Sequence, residues 1–373
     1  MKYPFVDLFS GAGGLTLGFR NAGFSPVFAA DFDRHACATY RRNLGNHIQA
    51  LDLAKVPASE VVARVREISE DVAVVAGGPP CQGWSVQRRG SPSDERNDLV
   101  LKFFDIAIGI RPRAIVMENV PTIFGKRGAE HFRMVDSSLE RAGYRVWKKV
   151  LDAADYSVPQ NRRRAILVAV RSDLSTRYSF PEPSIQNGRF STVREAIADL
   201  PEPPPDGSDH PAFPNHRLVL VSDLNKLRLS HVPEGGGRLD IPEELQLPCH
   251  RNSNGHRHLD VYGRLWWDKP AGTITAMFDN FTRGRFAHPR ADRNITSREG
   301  ARLQSFPDWF VFEGGKKDVA RQIGNAVAPK LAQAIANSLI GIMSENSASV
   351  IREPNVATPD LAIAEAEMVM ANK

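Results

Sequence analysis

Cys81 stands within Gly77-Gly78-Pro79-Pro80-Cys81-Gln82-Gly83-Trp84-Ser85, where two glycines permit close backbone approach and two prolines fix the path of the chain. A lone cysteine is usually a buried structural thiol, but a polar, loop-prone stretch opening on Gly-Gly-Pro-Pro can present it at a rim as a nucleophile. Val116-Met117-Glu118-Asn119-Val120-Pro121 places a carboxylate at the end of an apolar run. A nucleophile beside an acid suits covalent attack on an electron-poor ring whose nitrogen must be protonated or hydrogen-bonded as charge builds. Glu118 taken alone is also compatible with a simple loop cap. Gln160-Asn161-Arg162-Arg163-Arg164 leads into another apolar run, so Arg162 and Arg164 face one way on the strand they enter. Most such charge runs are solvated edges, and this one gains meaning only from its company.

A further constellation binds rather than reacts. Asp7-Leu8-Phe9-Ser10-Gly11-Ala12-Gly13-Gly14 is a glycine-rich turn between a first strand and its helix, which lets backbone N–H groups approach a ligand closely. The turn alone does not tell a dinucleotide from another adenosyl cofactor. Asp31 falls at the end of the second strand, where a ribose-binding carboxylate is expected, and Phe32 beside it can stack on an adenine ring. A packing turn followed by an Asp N-cap would look much the same.

The elements that must hold these residues alternate. Short buried strands over 3–9, 27–31, 71–76, 113–118, 144–151 and 165–171 are separated by helical segments at 15–22, 34–43, 61–68, 99–110 and 129–142. This pattern predicts an α/β fold, a parallel, doubly wound sheet with its ligand groups at the carboxyl edge. After Arg171 the periodicity fails, and Pro201-Glu202-Pro203-Pro204-Pro205-Asp206-Gly207 opens a loop-rich second unit. Helices return at 298–304 and 330–342. The division expected is a discontinuous catalytic unit, 1–171 plus 318–341, a recognition unit and hinge over 172–317, and an acidic tail over 342–373.

At 373 residues, with 42% hydrophobic and 24% charged residues, the composition is globular and excludes wholesale disorder. No uninterrupted apolar run reaches the roughly 18 residues of a membrane span, and the first residues lack a signal peptide, so a cytoplasmic location is expected. Cys37, Cys81 and Cys249 lie too far apart for a CxxC site, and the histidine spacing fits no metal set. The net charge of +5 hides a gradient: residues 1–171 carry 25 basic and 18 acidic residues, 172–248 carry 7 and 12, 249–291 carry 7 and 3, and 342–373 carry 2 and 5. A polyanion would meet the first and third of these segments.

Taken in order, these motifs resemble those of the DNA (cytosine-5) methyltransferases. The series runs from Asp7–Gly18 through Asp31, Asp52, Pro79–Ser85, Glu118–Val120 and Gln160–Arg164 to Thr296-Ser297-Arg298-Glu299 and Leu303-Gln304-Ser305-Phe306-Pro307-Asp308. It ends at Gln322-Ile323-Gly324-Asn325-Ala326-Val327. The resemblance implies a Rossmann-like S-adenosylmethionine-dependent methyltransferase sheet with a smaller target-recognition domain in the insert at 172–291.

By the same resemblance, the Cys81 thiolate adds to carbon 6 of cytosine, Glu118 holds or protonates ring nitrogen 3, and Arg164 contacts the exocyclic oxygen. Arg162 supports Cys81, with Gln160 as framework. S-adenosyl-L-methionine would be held by Phe9, Ser10, Gly11, Gly13, Asp31, Phe32, Asp52, Pro79, Asn325 and Val327; the match at Asp52 lacks the glycine the family often shows there. Double-stranded DNA is the implied partner. Ser85, Arg88 and Arg89 are expected on phosphates and Thr273, Thr275, Arg283 and Arg285 in the recognition region. A monomer acting beside a cognate restriction endonuclease is the expected setting. A tRNA methyltransferase of the same fold, a catalytically dead DNA-binding relative and a nicotinamide-dependent oxidoreductase are the competing readings.

Overall fold

The computed structural model describes residues 3–80, 98–125, 128–175, 177–185, 188–248 and 259–344. Seven strands, β1 (Pro4–Leu8), β2 (Ser25–Asp31), β3 (Ile48–Ala50), β4 (Val74–Gly77), β5 (Ala114–Asn119), β6 (Tyr144–Asp152) and β7 (Arg163–Arg171), form one sheet. Their order is β3-β2-β1-β4-β5-β7-β6. The helices are α1 (Gly14–Asn21), α2 (Arg34–Leu44), α3 (Ala58–Ile68), α4 (Asp98–Ile110), α5 (Ala129–Arg141), α6 (Val193–Ile197), α7 (Asp223–Ser230), α8 (Ser297–Leu303), α9 (Lys316–Asn325) and α10 (Pro329–Met343).

The expected parallel sheet is found for β1 to β5, but β7 runs antiparallel to both β5 and β6. The reason is local. Only a short 3-10 turn, Ala153–Tyr156, and a few loop residues separate β6 from β7, too few for the crossover that parallel strands need. The reversal matters chemically, because it brings the first residues of β7 to the edge where the parallel strands end.

Both faces of the sheet are covered, which is why β1, β4 and β5 read as near-continuous apolar runs. On one face, Val61, Val65, Val100, Phe103, Phe104, Val135 and Leu139 from α3, α4 and α5 form the core. On the other, Leu15 and Phe19 of α1 meet Leu331, Ile335, Leu339 and Ile342 of α10. The last helix therefore packs onto the first. A Cβ at Gly18 would lie 2.4 Å from the Pro329 carbonyl oxygen and 2.5 Å from the Ala332 Cβ, so only glycine allows this approach.

The 316–343 stretch is long and apolar enough to cross a bilayer, but it is two helices broken at Ala326–Ala328, and the apolar residues of α10 belong to the core. The insert also lacks full independence. Val193, Ile197, Leu265, Ile274 and Phe278 share a cluster with Leu17, Tyr40 and Leu44 of the sheet unit, whereas Leu229, Val232, Ile241, Tyr262 and Phe281 form a smaller cluster within the insert.

Candidate active site

The chain leaves β1 at Leu8 and β4 at Gly77 side by side, then turns away in opposite directions through the sheet order, which makes a ligand crevice at that point. Gly77 is obligatory here, since a Cβ would fall 2.2 Å from the Leu8 carbonyl oxygen. Phe9 follows with φ of 57°, a left-handed conformation unusual for a bulky residue, and Gly11 and Gly13 continue it at 53° and 94°. Among the described residues other than its chain neighbours, no heavy atom lies within 4 Å of where a Gly11 Cβ would stand.

Asp31 ends β2 and ties this turn down. One carboxylate oxygen accepts the Gly11 N–H at 2.8 Å and the other the Asp33 N–H at 2.9 Å. Burial, its largest influence, pushes the carboxyl up from its ordinary value, and the backbone N–H groups offset part of that. Phe32 next to it is 70% exposed, a large ring left in solvent at the crevice. Ser10 is buried, with its N–H on the Ala30 carbonyl.

From the far end of the chain, the Val327 carbonyl lies 2.3 Å from where a Gly14 Cβ would be, so the α9–α10 junction closes the same turn. Asn325 there is exposed. An open, glycine-lined turn, a carboxylate at the second strand end and an exposed aromatic ring fit the sugar, adenine and amino-acid parts of S-adenosylmethionine. Asp52 is engaged locally, by the Ala54 N–H at 3.2 Å and the Lys55 Nζ at 3.1 Å.

Across the crevice, Glu118 and Arg164 form a tight ion pair, Oε1 to Nε 2.7 Å, with side chains 11% and 13% exposed. The antiparallel register makes it, since Glu118 pairs with Ile166 and Asn119 with Ala165. Gly78 passes close by; a Cβ there would stand 3.2 Å from Glu118 Oε2. The Asn119 side chain donates to the buried Pro79 carbonyl at 2.9 Å and so holds the segment that leads into Cys81. Cys81, Ser85, Arg88 and Arg89 lie outside the described residues, as does Cys249.

Two expected roles fall on guanidiniums already engaged. Arg162, expected to support Cys81, is 2% exposed and bonded to three main-chain carbonyls: Ile274 at 3.0 Å, Gly324 at 2.9 Å and Ala326 at 2.9 Å. Burial, with Arg164 adding to it, lowers its pKa well below the ordinary value. Arg285 was assigned to DNA. It instead donates to the carbonyls of Gly235, Gly236 and Arg264, pairs with Asp260 at 3.0 Å, and lies 4.3 Å from the centroid of the Trp266 ring. A guanidinium so engaged is a framework element. Thr273 is exposed but its hydroxyl donates to the Asn161 carbonyl at 2.8 Å; Thr275 is half-buried, and Arg283 is exposed.

Sequence reasoning missed a buried polar chain beneath the glycine turn. The Thr16 hydroxyl donates to Asp7 at 2.5 Å and lies 3.1 Å from the Tyr40 hydroxyl, which is 2.7 Å from His47 Nε2. Burial raises the Asp7 carboxyl to about 7, and its second oxygen has no hydrogen-bond partner among the described residues. The polar residue inside an otherwise apolar β1 was the available signal. A second such group sits under α8, where Arg293 grips Glu299 with two bonds of 2.9 Å, and Glu299 in turn accepts the Thr296 N–H at 2.6 Å in a capping box.

Sheet order, crevice and the carboxylate-bearing strand ends are consistent with the α/β fold of the S-adenosylmethionine-dependent methyltransferases. The family model for C-5 cytosine-specific DNA methylases matches residues 3–341, and the chain belongs to that family and is a DNA (cytosine-5) methyltransferase. It is 37% identical over 344 residues to the Type II methyltransferase M1.HphI of Haemophilus parahaemolyticus, covering 91% of this chain and 87% of that one. It is 34% identical to M.NgoFVII of Neisseria gonorrhoeae, with 92% and 88% covered. Among solved structures, an Escherichia coli prophage protein described as a DNA modification methyltransferase superposes with a TM-score of 0.71 at 24% identity, covering 92% of this chain and all of that one. Schizosaccharomyces pombe Dnmt2 gives 0.60 at 19%, with 91% and 98% covered, a likeness of fold.

Proposed function

We propose that the chain methylates carbon 5 of a cytosine swung out of double-stranded DNA at a short specific sequence, as the modification partner of a Type II restriction endonuclease. The buried Glu118–Arg164 pair, facing the Asp31–Gly11 crevice beside the segment that enters Cys81, carries this reading. The Type II relatives supply the restriction setting.

S-adenosylmethionine, when bound, supplies a methyl group on a positively charged sulfur. The rest is work for this chain. A duplex hides the target carbon, so the base must leave the stack, at a cost of a few kcal/mol. The Cys81 thiolate then bonds to carbon 6, which pushes electron density to carbon 5 and ring nitrogen 3. Glu118 holds a proton against nitrogen 3, and Arg164, fixed by Glu118, presents its remaining donors to the exocyclic oxygen. Once carbon 5 has taken that methyl group, with the sulfur keeping the bonding pair, loss of the carbon 5 proton to solvent re-forms the 5,6 double bond and expels the Cys81 thiolate. Ser85, Arg88, Arg89 and Arg283 would meet phosphates, with Thr273 and Thr275 in the recognition segment.

The test is bisulfite sequencing of plasmid from cells expressing the parent chain and Cys81→Ala. Conversion-resistant cytosines at one short sequence are expected for the parent alone, while the variant still binds DNA. Methylation retained by Cys81→Ala refutes the covalent route, and transfer to tRNA alone refutes the substrate.

A further inference from the structure

Ile274 lies in the insert, 110 residues after Arg164, yet both polar groups of its backbone are held by the lead-in to the strand that carries Arg164. Its N–H donates to Gln160 Oε1 at 2.8 Å, and its carbonyl accepts from Arg162 Nη1 at 3.0 Å. Gln160 is fully buried and uses its remaining donor on the Leu303 carbonyl of α8 at 3.2 Å. Between the two, the Asn161 backbone takes the Thr273 hydroxyl and bonds the Ala271 carbonyl at 2.8 Å. The segment 271–274 is thus fastened along the lead-in to β7.

The other end of Arg162 reaches the α9–α10 junction. Nη2 binds the carbonyls of Gly324 and Ala326, and the next carbonyl, that of Val327, closes over Gly14 at the start of α1. Gly324 packs directly against the recognition segment, since a Cβ there would stand 2.2 Å from the Thr275 carbonyl carbon. One guanidinium therefore joins the recognition segment to the wall of the cofactor crevice, and its residue stands two before Arg164 of the Glu118–Arg164 pair.

We propose that Arg162, with Gln160, is a positioning residue that couples DNA engagement at 273–275 to cofactor binding and to the Glu118–Arg164 pair. Its guanidinium bonds main-chain carbonyls of three residues. A shift of Ile274 on DNA binding must move or be resisted by the same guanidinium that sets Gly324 and Ala326, so each ligand biases the site of the other. This rests on the proposed function, and specifically on the recognition segment facing DNA. A lysine at 162 keeps the charge but offers one nitrogen for three divergent carbonyls, and methionine at 160 keeps the volume while releasing the Ile274 N–H.

The experiment is calorimetric titration of S-adenosylhomocysteine into the full chain with and without a duplex bearing the methylated site, for the parent, Arg162→Lys and Gln160→Met. In the parent, the duplex is expected to tighten binding on the order of tenfold, with S-adenosylhomocysteine tightening the duplex by the same factor, as linkage requires. In both variants that factor should fall to within about twofold with the sign of the linkage unchanged; Arg162→Lys, which releases the crevice wall, should also weaken binding without DNA, whereas Gln160→Met should keep that affinity within about threefold. A merely structural role would lower thermal stability and leave the factor intact. Should Arg162→Lys fail to fold, Gln160→Met decides, because it leaves the Gly324 and Ala326 bonds in place. A parent that binds both ligands independently, or variants that keep the parental factor, overturn the coupling. A parent that binds neither ligand overturns the function on which it rests.

Discussion

Replacing Asp7 by asparagine preserves the shape of the side chain and removes its proton equilibrium. Asp7 lies on β1 beneath the glycine turn, fully inside the fold, and burial holds its carboxyl at about 7 against an ordinary 3.8. Ionising it in the folded protein therefore costs about 4 kcal/mol more than in the unfolded chain, at ~1.4 kcal/mol per pH unit. The sign follows from proton counting. A carboxyl whose folded pKa is raised binds its proton more tightly when folded, so its favourable contribution is complete below about pH 4 and is lost as pH rises through about 7. Between about pH 5 and pH 8 the parent should lose about 3 kcal/mol through this group alone. Asp7→Asn cannot lose it. The asparagine oxygen can still accept from Thr16, but its amide nitrogen replaces an oxygen that has no partner among the described residues, an unmet donor that costs about 1–3 kcal/mol at any pH. The variant should thus gain about 3 kcal/mol on the parent between pH 5 and pH 8 and be the more stable of the two near pH 8. Urea unfolding followed by circular dichroism at several pH values across that range measures the difference directly. His288, whose imidazole burial pushes down to about 4, titrates in both proteins and cancels in the comparison. Parallel pH profiles for the two proteins would show that Asp7 does not carry the raised pKa.

Phe32→Ala should leave stability within about 0.5 kcal/mol, because the ring is 70% exposed, and weaken S-adenosylhomocysteine binding about tenfold by loss of stacking; unchanged affinity in calorimetry would remove Phe32 from the adenine site. Gly18→Ala should cost about 3 kcal/mol or prevent folding, since its Cβ would meet backbone of α10 that cannot give way. A thermal midpoint equal to the parent's would mean that the α1–α10 contact is looser than described.

What sequence made legible was set by near neighbours and period. The apolar runs of β1, β4 and β5 announce strands buried on both faces, and Glu118 at the end of one and the arginines at the start of another mark the rim. β3, three residues long, carries no period to detect. The reversal of β7 is a fact of pairing across space, and it alone puts Arg164 against Glu118. Arg162 and Arg164 share a direction and a charge, so residue type and spacing could not separate them, and only the family resemblance gave them different roles. Their roles diverge because the partners of Arg162 come from Ile274, Gly324 and Ala326, more than a hundred residues away, and those of Arg164 from the adjacent strand end.

The same distinction corrects the reading of charge in the insert. The basic excess at 249–291 suggested a surface for phosphates, but a charge count is not a charged surface. Arg264 is 4% exposed and spends its donors on the carbonyls of Val232, Leu229, His288 and Ala291 and on Asp292. Arg285 is consumed by Asp260 and three carbonyls. Both hold together loops and the end of α7, in a unit with little regular structure among its described residues and a small private apolar cluster. In such a loop-rich module, arginine does the structural work that backbone ladders do elsewhere, because one planar fork satisfies several carbonyls that would otherwise be buried without donors. Among the described residues of this segment, the cations left for a polyanion are the exposed Arg283 and Arg290 together with Lys269, which also lies 4.7 Å from the centroid of the Trp266 ring. Among the described residues, the exposed cations of this insert are thus displayed by a scaffold of buried arginines, and that scaffold is fastened to the lead-in of β7 through the Ile274 backbone.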